Sequence, residues 1–190
     1  MNAVGQVAFE QYYYIKNRQR VESVPLFNYT SRENLYIEAR YNYEEANTFS
    51  FYLGRSFANE GKFSYTVTPL MGVVMGRLSG GSIGVNATLE YQNIFFSTQS
   101  QYTASLHERK ANFIYAWSEL GYQPWKWFYF GLSTQQTYSP EVDPLISAGV
   151  FVGFSIGKWT FPVYSFNPMS DTRYFVLGIN FSGGAFHRSR

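Results

Sequence analysis

The sequence predicts an all-β fold, a transmembrane up-and-down antiparallel β-barrel of about ten strands, within a range of eight to twelve. Residues 82–92 alternate without a break, with apolar residues at the odd positions and small or polar residues at the even ones. Residues 145–157 repeat this pattern. A period of two residues is that of a strand and not of a helix. About eleven residues are also what a tilted strand needs to cross a bilayer.

The composition favours a membrane barrel and excludes several other classes. Of 190 residues, 21% are aromatic and 15% are charged, whereas about a quarter of an ordinary soluble domain is charged. Tyr and Trp favour a boundary between oil and water. The absence of Cys excludes thiol catalysis and Cys-bound metals. A net charge of +2, with scattered cations, predicts no nucleic-acid surface. Residues 1–20 lack the pattern of a secretory signal, so we interpret the chain as a mature form.

Ten segments carry one apolar face and are predicted as strands. They are residues 4–16, 34–43, 48–57, 62–77, 82–92 with a possible extension to 98, 111–122, 127–138, 145–157, 159–166 and 172–182. They are expected to form one domain over residues 1–190, with a tail at 183–190.

The predicted connections differ in length between the two rims of the barrel. Those on the rim that holds both chain ends are short turns, and those on the other rim are mostly long loops, the asymmetry typical of outer-membrane barrels. The short turns are predicted at 44–47, 78–81, 123–126 and 157–158. The opposite rim carries 17–31, 99–110, 139–144 and 167–171, with 58–61 as its one short member.

The charged residues indicate which face of the strands meets lipid. Glu10, Glu38, Arg40 and Glu90 all lie opposite the aliphatic face of their strands. A small closed barrel cannot hold four or five large apolar residues from each strand. We therefore expect the aliphatic face outside, in lipid, and Gly, Ser, Thr and Asn inside. The alternative is a soluble barrel or sandwich whose Trp and Tyr residues form an ordinary core.

Residues 174–181, Y-F-V-L-G-I-N-F, resemble the aromatic-ended terminal strand of the small outer-membrane β-barrel proteins of Gram-negative bacteria. The alternation that supports this resemblance extends over residues 4–181. The sequence departs from the pattern at its end, because residues 182–190 follow the terminal Phe181. The resemblance implies an outer-membrane location and contacts with lipid and lipopolysaccharide. It also leaves room for other outer-membrane proteins as partners in a larger assembly.

The four charged residues on the polar face are predicted to form an ion network inside the barrel. Charges in a narrow lumen must be paired or hydrated, and we expect Arg40 to bind one or more of Glu10, Glu38 and Glu90. Such a network would plug the lumen, so the predicted role is a binding, structural or accessory subunit of the outer membrane. The alternative is a narrow passive porin-like pore in which these charges form a selectivity ring.

The predicted loop at 17–31 is a candidate binding surface for a partner. Val24, Leu26, Phe27 and Tyr29 give it an apolar centre that a purely solvated loop would not need.

Catalysis is a weaker hypothesis. Ser105, His107 and Glu108 have the residue types of a hydrolytic triad, as in a barrel that resembles lipid A deacylases or omptin-like surface proteases. Neighbours in one polar loop rarely present a triad in the required geometry. We therefore expect no enzyme activity, no cofactor and no metal site, and we interpret Glu141 and Asp143 as turn residues.

Overall fold

The structure is a computed structural model that describes residues 5–16 and 21–183. These residues form one antiparallel sheet and a single 3-10 turn at Arg109–Ala111. The strands are β1 (Gln6–Lys16), β2 (Glu22–Thr30), β3 (Leu35–Tyr41), β4 (Thr48–Arg55), β5 (Phe57–Asn59), β6 (Phe63–Gly76), β7 (Gly80–Tyr91), β8 (Ile94–Ser105), β9 (Phe113–Trp125), β10 (Phe128–Tyr138), β11 (Leu145–Ile156), β12 (Trp159–Phe166) and β13 (Tyr174–Ser182). Among the described residues, no helix has the length and apolar character needed to cross a membrane.

The sheet closes on itself into an up-and-down barrel. Strands that follow one another in sequence pair antiparallel, β1 pairs with β13, and β4 pairs with β6. Twelve strands therefore form the ring, and β5 stands outside it. β5 continues β4 along β6 in an unchanged register, from Gly54↔Leu70 to Phe57↔Val67. The ladder is interrupted opposite Pro69, which has no N–H to donate. The register is the same on both sides of this interruption.

The barrel has twelve strands and not about ten. Two of the twelve are missing from the predicted segments. The first is β2, which lies within the predicted long loop at 17–31. Val24 and Leu26 face inward from β2 and are 4% and 1% exposed. Phe27 of the same strand faces outward, so β2 carries apolar residues on both faces and lacks the polar inner face expected of a strand. Pro25 also makes the segment look like a loop.

The second missed strand is β8, which was predicted as an extension of its neighbour followed by a loop at 99–110. β7 ends at Tyr91 and β8 begins at Ile94, so only Gln92 and Asn93 connect them. Gln92 adopts a positive φ of 53°, as a two-residue hairpin turn requires. A turn without Gly or Pro gives little signal in the sequence, and the two strands therefore appear as one.

The additional strands change which connections share a rim. The terminal rim holds residues 5 and 183, the turns at 31–34, 92–93, 126–127 and 157–158, and the connection at 60–62. The turn predicted at 58–61 on the opposite rim therefore belongs to the terminal rim. The loop rim holds the connections at 42–47, 77–79, 106–112, 139–144 and 167–173. The predicted turns at 44–47 and 78–81 therefore belong to the loop rim, since each missed strand reverses the chain once more. The predicted tail lies outside the described residues from 184 onward.

The alternation of the strands separates an apolar exterior from a mixed interior. Ile83, Leu132 and Ile146 point outward and are 60%, 60% and 53% exposed. Tyr52 and Phe166 point inward and are fully buried. Trp125 and Trp127 stack at the terminal rim with ring centroids 5.7 Å apart, as expected for an aromatic belt at a membrane interface. The aliphatic face therefore lies on the outside, as predicted.

Candidate functional site: the barrel lumen

The most densely connected part of the lumen surrounds Arg40 on β3. This side chain is 1% exposed, and its Nη2 lies 2.5 Å from Glu38 Oε1. Its Nη1 donates to Gln101 Oε1 at 2.5 Å and lies 3.5 Å from Glu44 Oε1. Gln101 belongs to β8, on another part of the ring. A guanidinium with donors pointing to several sides can satisfy all these acceptors at once, so Arg40 cross-links the barrel wall through its interior.

The Glu38 carboxylate extends this cross-link to β7. Its Oε1 accepts from Arg40 Nε at 2.5 Å. Its Oε2 accepts from the Tyr36 hydroxyl and from Asn86 Nδ2, the latter at 3.2 Å. A buried carboxylate is stable only when such partners replace its water shell. The predicted pair of Glu38 and Arg40 is therefore in contact, and it is supported by neutral donors from two strands.

Glu44 was assigned to a turn by the sequence, but its side chain folds inward and is 0% exposed. It accepts hydrogen bonds from Ser50 Oγ at 2.7 Å and from the Tyr52 hydroxyl at 2.9 Å. Beside it, burial raises the pKa of Tyr43 well above its usual value. The Tyr43 hydroxyl therefore stays protonated, and it donates to Gln99 Oε1 at 2.8 Å.

Aromatic side chains fill much of the remaining interior. Trp117 on β9 lies 5.1 Å from Tyr12 on β1 and 5.2 Å from Tyr164 on β12, measured between ring centroids. Nearer the loop rim, Gln135 donates to the Tyr14 hydroxyl and accepts from the Tyr174 hydroxyl, both at 3.0 Å. These contacts join strands that are not neighbours in the ring. Side chains therefore fill the loop-rim half of the lumen.

Glycines on the inner face make this packing possible. A Cβ at Gly153 would overlap the ring of Tyr129, and a Cβ at Gly121 would overlap the ring of Phe95. Each glycine therefore provides the space that the ring on a neighbouring strand occupies. Gly153 lies on the inner face, where the sequence predicts glycines.

The half of the lumen near the terminal rim contains open space. A central cavity of about 380 Å³ is lined by Glu10, Glu119 and Asn180 together with tyrosine, tryptophan, threonine and asparagine side chains. A wider vestibule of about 950 Å³ lies at the terminal rim, and its wall includes Lys62, Lys126 and Lys158. Both spaces are lined by Glu90, Phe95 and Thr160. They therefore adjoin, and together they lead from the terminal rim to the middle of the barrel.

Comparison with known proteins supports the fold. No family model and no curated protein matches the sequence. Among solved structures, the KdgM porin in complex with disordered oligogalacturonate superposes with a TM-score of 0.66 and 11% sequence identity, covering 92% of this chain and 98% of that one. A second structure of the KdgM porin has a TM-score of 0.63, 9% identity and the same coverage.

This chain has the fold of the small outer-membrane β-barrels. The class-level resemblance inferred from the alternating strands and the terminal strand is thereby confirmed, and so is the up-and-down antiparallel barrel. At this level of identity the comparison concerns the fold alone.

Within this outer-membrane barrel fold, the four predicted lumen charges occupy two places. Glu38 and Arg40 form the central ion pair. Glu10 accepts a hydrogen bond from the Tyr12 hydroxyl at 2.9 Å and lines the central cavity. Glu90 lines both the cavity and the vestibule. The contacts of Arg40 described above lead instead to Glu38, Glu44 and Gln101.

Two carboxylates of the lumen were missed in the sequence. Glu44 lies four residues after Arg40, in a segment that the sequence predicts as a turn. Glu119 lies on β9 beside Tyr164, Ser97 and Glu10. It shares its strand face with Trp117, which is 5% exposed. Because a charged side chain avoids lipid, Glu119 in the sequence indicates that the face of β9 that it shares with Trp117 points inward.

The candidate partner-binding loop is not a loop, so this prediction is corrected. Val24, Leu26, Phe27 and Tyr29 all belong to β2. Val24 and Leu26 are buried in the interior, whereas Phe27 is 46% exposed on the outer face of the barrel. The apolar centre that suggested a partner surface is explained by burial inside the barrel and by the apolar exterior.

The residues considered for catalysis are engaged in the structure of the loop rim. Ser105 Oγ accepts hydrogen bonds from the backbone N–H groups of His107 and Glu108 at 3.2 and 3.3 Å, the pattern of a serine that stabilises a turn. At the same rim, Glu141 forms an ion pair with Lys110 at 2.6 Å. Among the described residues, no three potential metal ligands group together.

Proposed function

We propose that this protein is a porin-like channel of the outer membrane of a Gram-negative bacterium, with a narrow lumen that prefers cations. The sequence favoured a plugged accessory subunit and kept the pore as its alternative. Two findings support the pore. The two structures of similar fold described above are of a porin, and adjoining spaces with polar walls lead from the terminal rim to the middle of the barrel.

The preference for cations follows from the charges between the two rims. Five carboxylates face the interior, and Arg40 is the one buried cation among the residues that the structure describes. The carboxylates are Glu10, Glu38, Glu44, Glu90 and Glu119. The low dielectric of the barrel wall strengthens the field of these groups. Lysines of the vestibule stand closer to bulk water, where salt screens them.

The same carboxylates argue against oligogalacturonate, the ligand in the similar structure, as a solute of this barrel. Oligogalacturonate is a chain of uronic acids, each with a carboxylate, and it is described in complex with the KdgM porin. In the present lumen such a polyanion would meet an excess of carboxylates and a single guanidinium. Like charges in a narrow space cost several kcal/mol in order of magnitude. We therefore propose a different solute class for this barrel.

The contacts around Arg40 and Tyr43 predict that the conductance is small. Tyr43 lies 5.5 Å from Tyr115 across the lumen, measured between ring centroids. This contact and the Arg40 cross-links narrow the loop-rim half of the barrel. They are also the observation that favours the second candidate function, a plugged binding or accessory subunit. Hydrolysis forms no part of the proposal.

Single-channel recording in planar lipid bilayers tests the proposal. In a KCl gradient, the wild-type protein is expected to give small steps with a reversal potential of the sign for cation preference. Glu119→Gln should move the reversal potential toward zero, since it removes a carboxylate from the central cavity. The matched control is Glu45→Gln at the loop rim, which should leave the potential unchanged.

A second pair of variants tests the narrow section. Tyr43→Ala removes a ring from inside the lumen and should raise the conductance. Tyr41→Ala removes a ring that is 41% exposed on the outer face and should have no such effect. If neither the wild type nor Tyr43→Ala conducts, although both barrels are folded, the channel proposal is wrong and the plugged subunit is the better function.

A further inference from the structure

One residue that lines the central cavity has a hydrogen-bond acceptor without a matching donor from the surrounding protein. Asn180 Oδ1 is buried and has no hydrogen-bond partner among the described residues, although Asn180 lines this cavity. Buried amide oxygens normally have a partner. The oxygen itself is closed off from water, so a donor on an occupant of the cavity would reach it after a shift of the Asn180 side chain.

The orientation of the Asn180 amide is fixed by its neighbours. The Tyr12 hydroxyl uses its hydrogen to donate to Glu10 Oε2 at 2.9 Å. The same hydroxyl oxygen can then only accept, and it accepts from Asn180 Nδ2 at 3.3 Å. A flipped amide would place its oxygen against an oxygen that has no hydrogen to offer. Asn180 Oδ1 is thus the free end of a chain of hydrogen bonds that begins at Glu10.

Two carboxylates complete this set of acceptors. Glu10 and Glu119 both line the cavity and interact electrostatically with each other. Tyr12 and Tyr164, which contact these carboxylates, are neutral donors. Two carboxylates in a confined space repel each other and favour a cation between them. The guanidinium of Arg40 is held by Glu38, Glu44 and Gln101, so a cationic occupant would be stabilised by Glu10 and Glu119.

The remaining wall suits an organic cation. Tyr12, Trp117, Tyr129 and Tyr164 line the cavity beside the acceptors. Aromatic rings attract cations through their negative faces, most strongly where water is excluded. A volume of about 380 Å³ falls in the range of sites for small molecules. The carboxylates match the charge of a cation, the rings match its apolar surface, and the carboxylates and the unpaired amide oxygen accept hydrogen bonds from its N–H groups.

We propose that the central cavity is a binding site for a small organic amine, a cation with several N–H donors such as a primary diamine. This inference deepens the proposed function, because it names the class of cation that the lumen takes. The binding itself does not depend on conduction. An amine that enters from the vestibule would donate to Glu10, Glu119 and Asn180 Oδ1 and pack its methylene groups against the rings.

Calorimetric titration of the folded barrel in detergent micelles tests the site. The probe is 1,4-diaminobutane, with 1,4-butanediol as a neutral analogue and tetramethylammonium as a cation without N–H groups. We expect saturable binding of the diamine and weak or no binding of the other two. Glu119→Gln and Glu10→Gln should each weaken diamine binding roughly tenfold or more, the typical effect of losing a hydrogen bond to a charged group.

The controls separate the site from general charge effects and from folding. Glu45→Gln removes a carboxylate that is about half exposed at the loop rim and should bind the diamine like the wild type. Heat-modifiable migration in gels verifies that each variant is a folded barrel. Equal diamine affinity in wild type, Glu10→Gln and Glu119→Gln would overturn the proposal, and so would equal binding of the diol. Bilayer recordings decide separately whether the barrel conducts, so the amine site and the channel can fail independently.

Discussion

The interior cross-link at Arg40 gives a prediction whose size follows from the structure. Arg40→Met keeps much of the side-chain volume but removes the positive charge and all the guanidinium donors. It leaves Glu38 and Glu44, which are 1% and 0% exposed, without their cation. Breaking a buried ion pair on one side typically costs about 3–5 kcal/mol. We expect a loss of this order in the free energy of unfolding.

Urea unfolding in lipid bilayers measures this loss, with tryptophan fluorescence and heat-modifiable migration as two independent signals. The double variant Arg40→Met/Glu38→Gln should recover part of it, because the isolated carboxylate becomes a neutral amide. The coupling energy expected from the mutant cycle is about 0.5–3 kcal/mol. The control is Lys110→Met, which breaks an exposed ion pair with Glu141 and should cost no more than about 1 kcal/mol. A loss at Arg40 as small as that at Lys110, or a cycle without coupling, would refute the reasoning.

Two further predictions use the same unfolding measurement. Leu132→Arg places a charge on the lipid-facing side of β10, where Leu132 is 60% exposed, and should cost about 2–4 kcal/mol; Leu106→Arg, in a loop-rim connection, should change stability by less than about 0.5 kcal/mol. Equal small effects at both sites would contradict a lipid-facing exterior. Gly153→Val should lower stability by about 1–3 kcal/mol through overlap with the Tyr129 ring, and Tyr129→Ala in the same chain should relieve the overlap. If the second change adds to the loss, the two residues do not share this space.

The sequence predicted the fold class because alternation reports directly on a two-sided strand. It failed where a strand departs from the assumption that large apolar residues face lipid. Val24 and Leu26 lie inside with the buried aromatic rings, while Phe27 faces outward, so β2 carries large apolar residues on both faces. Whether an aromatic or aliphatic side chain fits inside depends on the residues across the lumen. Which residues face each other across the lumen depends on how the ring of strands closes, and the local sequence pattern does not show this.

The candidate site was predicted in part for the same reason. Glu38 and Arg40 are two residues apart on one strand face, so their contact could be inferred from spacing. Gln101 contacts Arg40 because residue 101 belongs to strand β8. The sequence pattern places this residue in a loop. Glu44 required knowing that the connection at 42–47 folds over the lumen. Glu10 was placed inside correctly, but its neighbour Glu119 comes from a strand 109 residues away in sequence.

The inner wall has a polar side and an aromatic side, and this difference bears on the proposed class of ligand. Strands β4 to β8 contribute buried hydroxyl and amide groups, among them Ser50, Thr68, Ser82 and Gln101. Strands β9 to β13 and β1 contribute most rings of the aromatic cluster, and Phe95 of β8 joins them. A hydrated inorganic ion has little to gain from the aromatic side. A solute with methylene groups and N–H donors can contact both sides at once, since rings accept its apolar and cationic parts and carboxylates accept its hydrogen bonds. The asymmetry of the wall therefore supports the proposal that the central cavity binds amines in preference to simple ions.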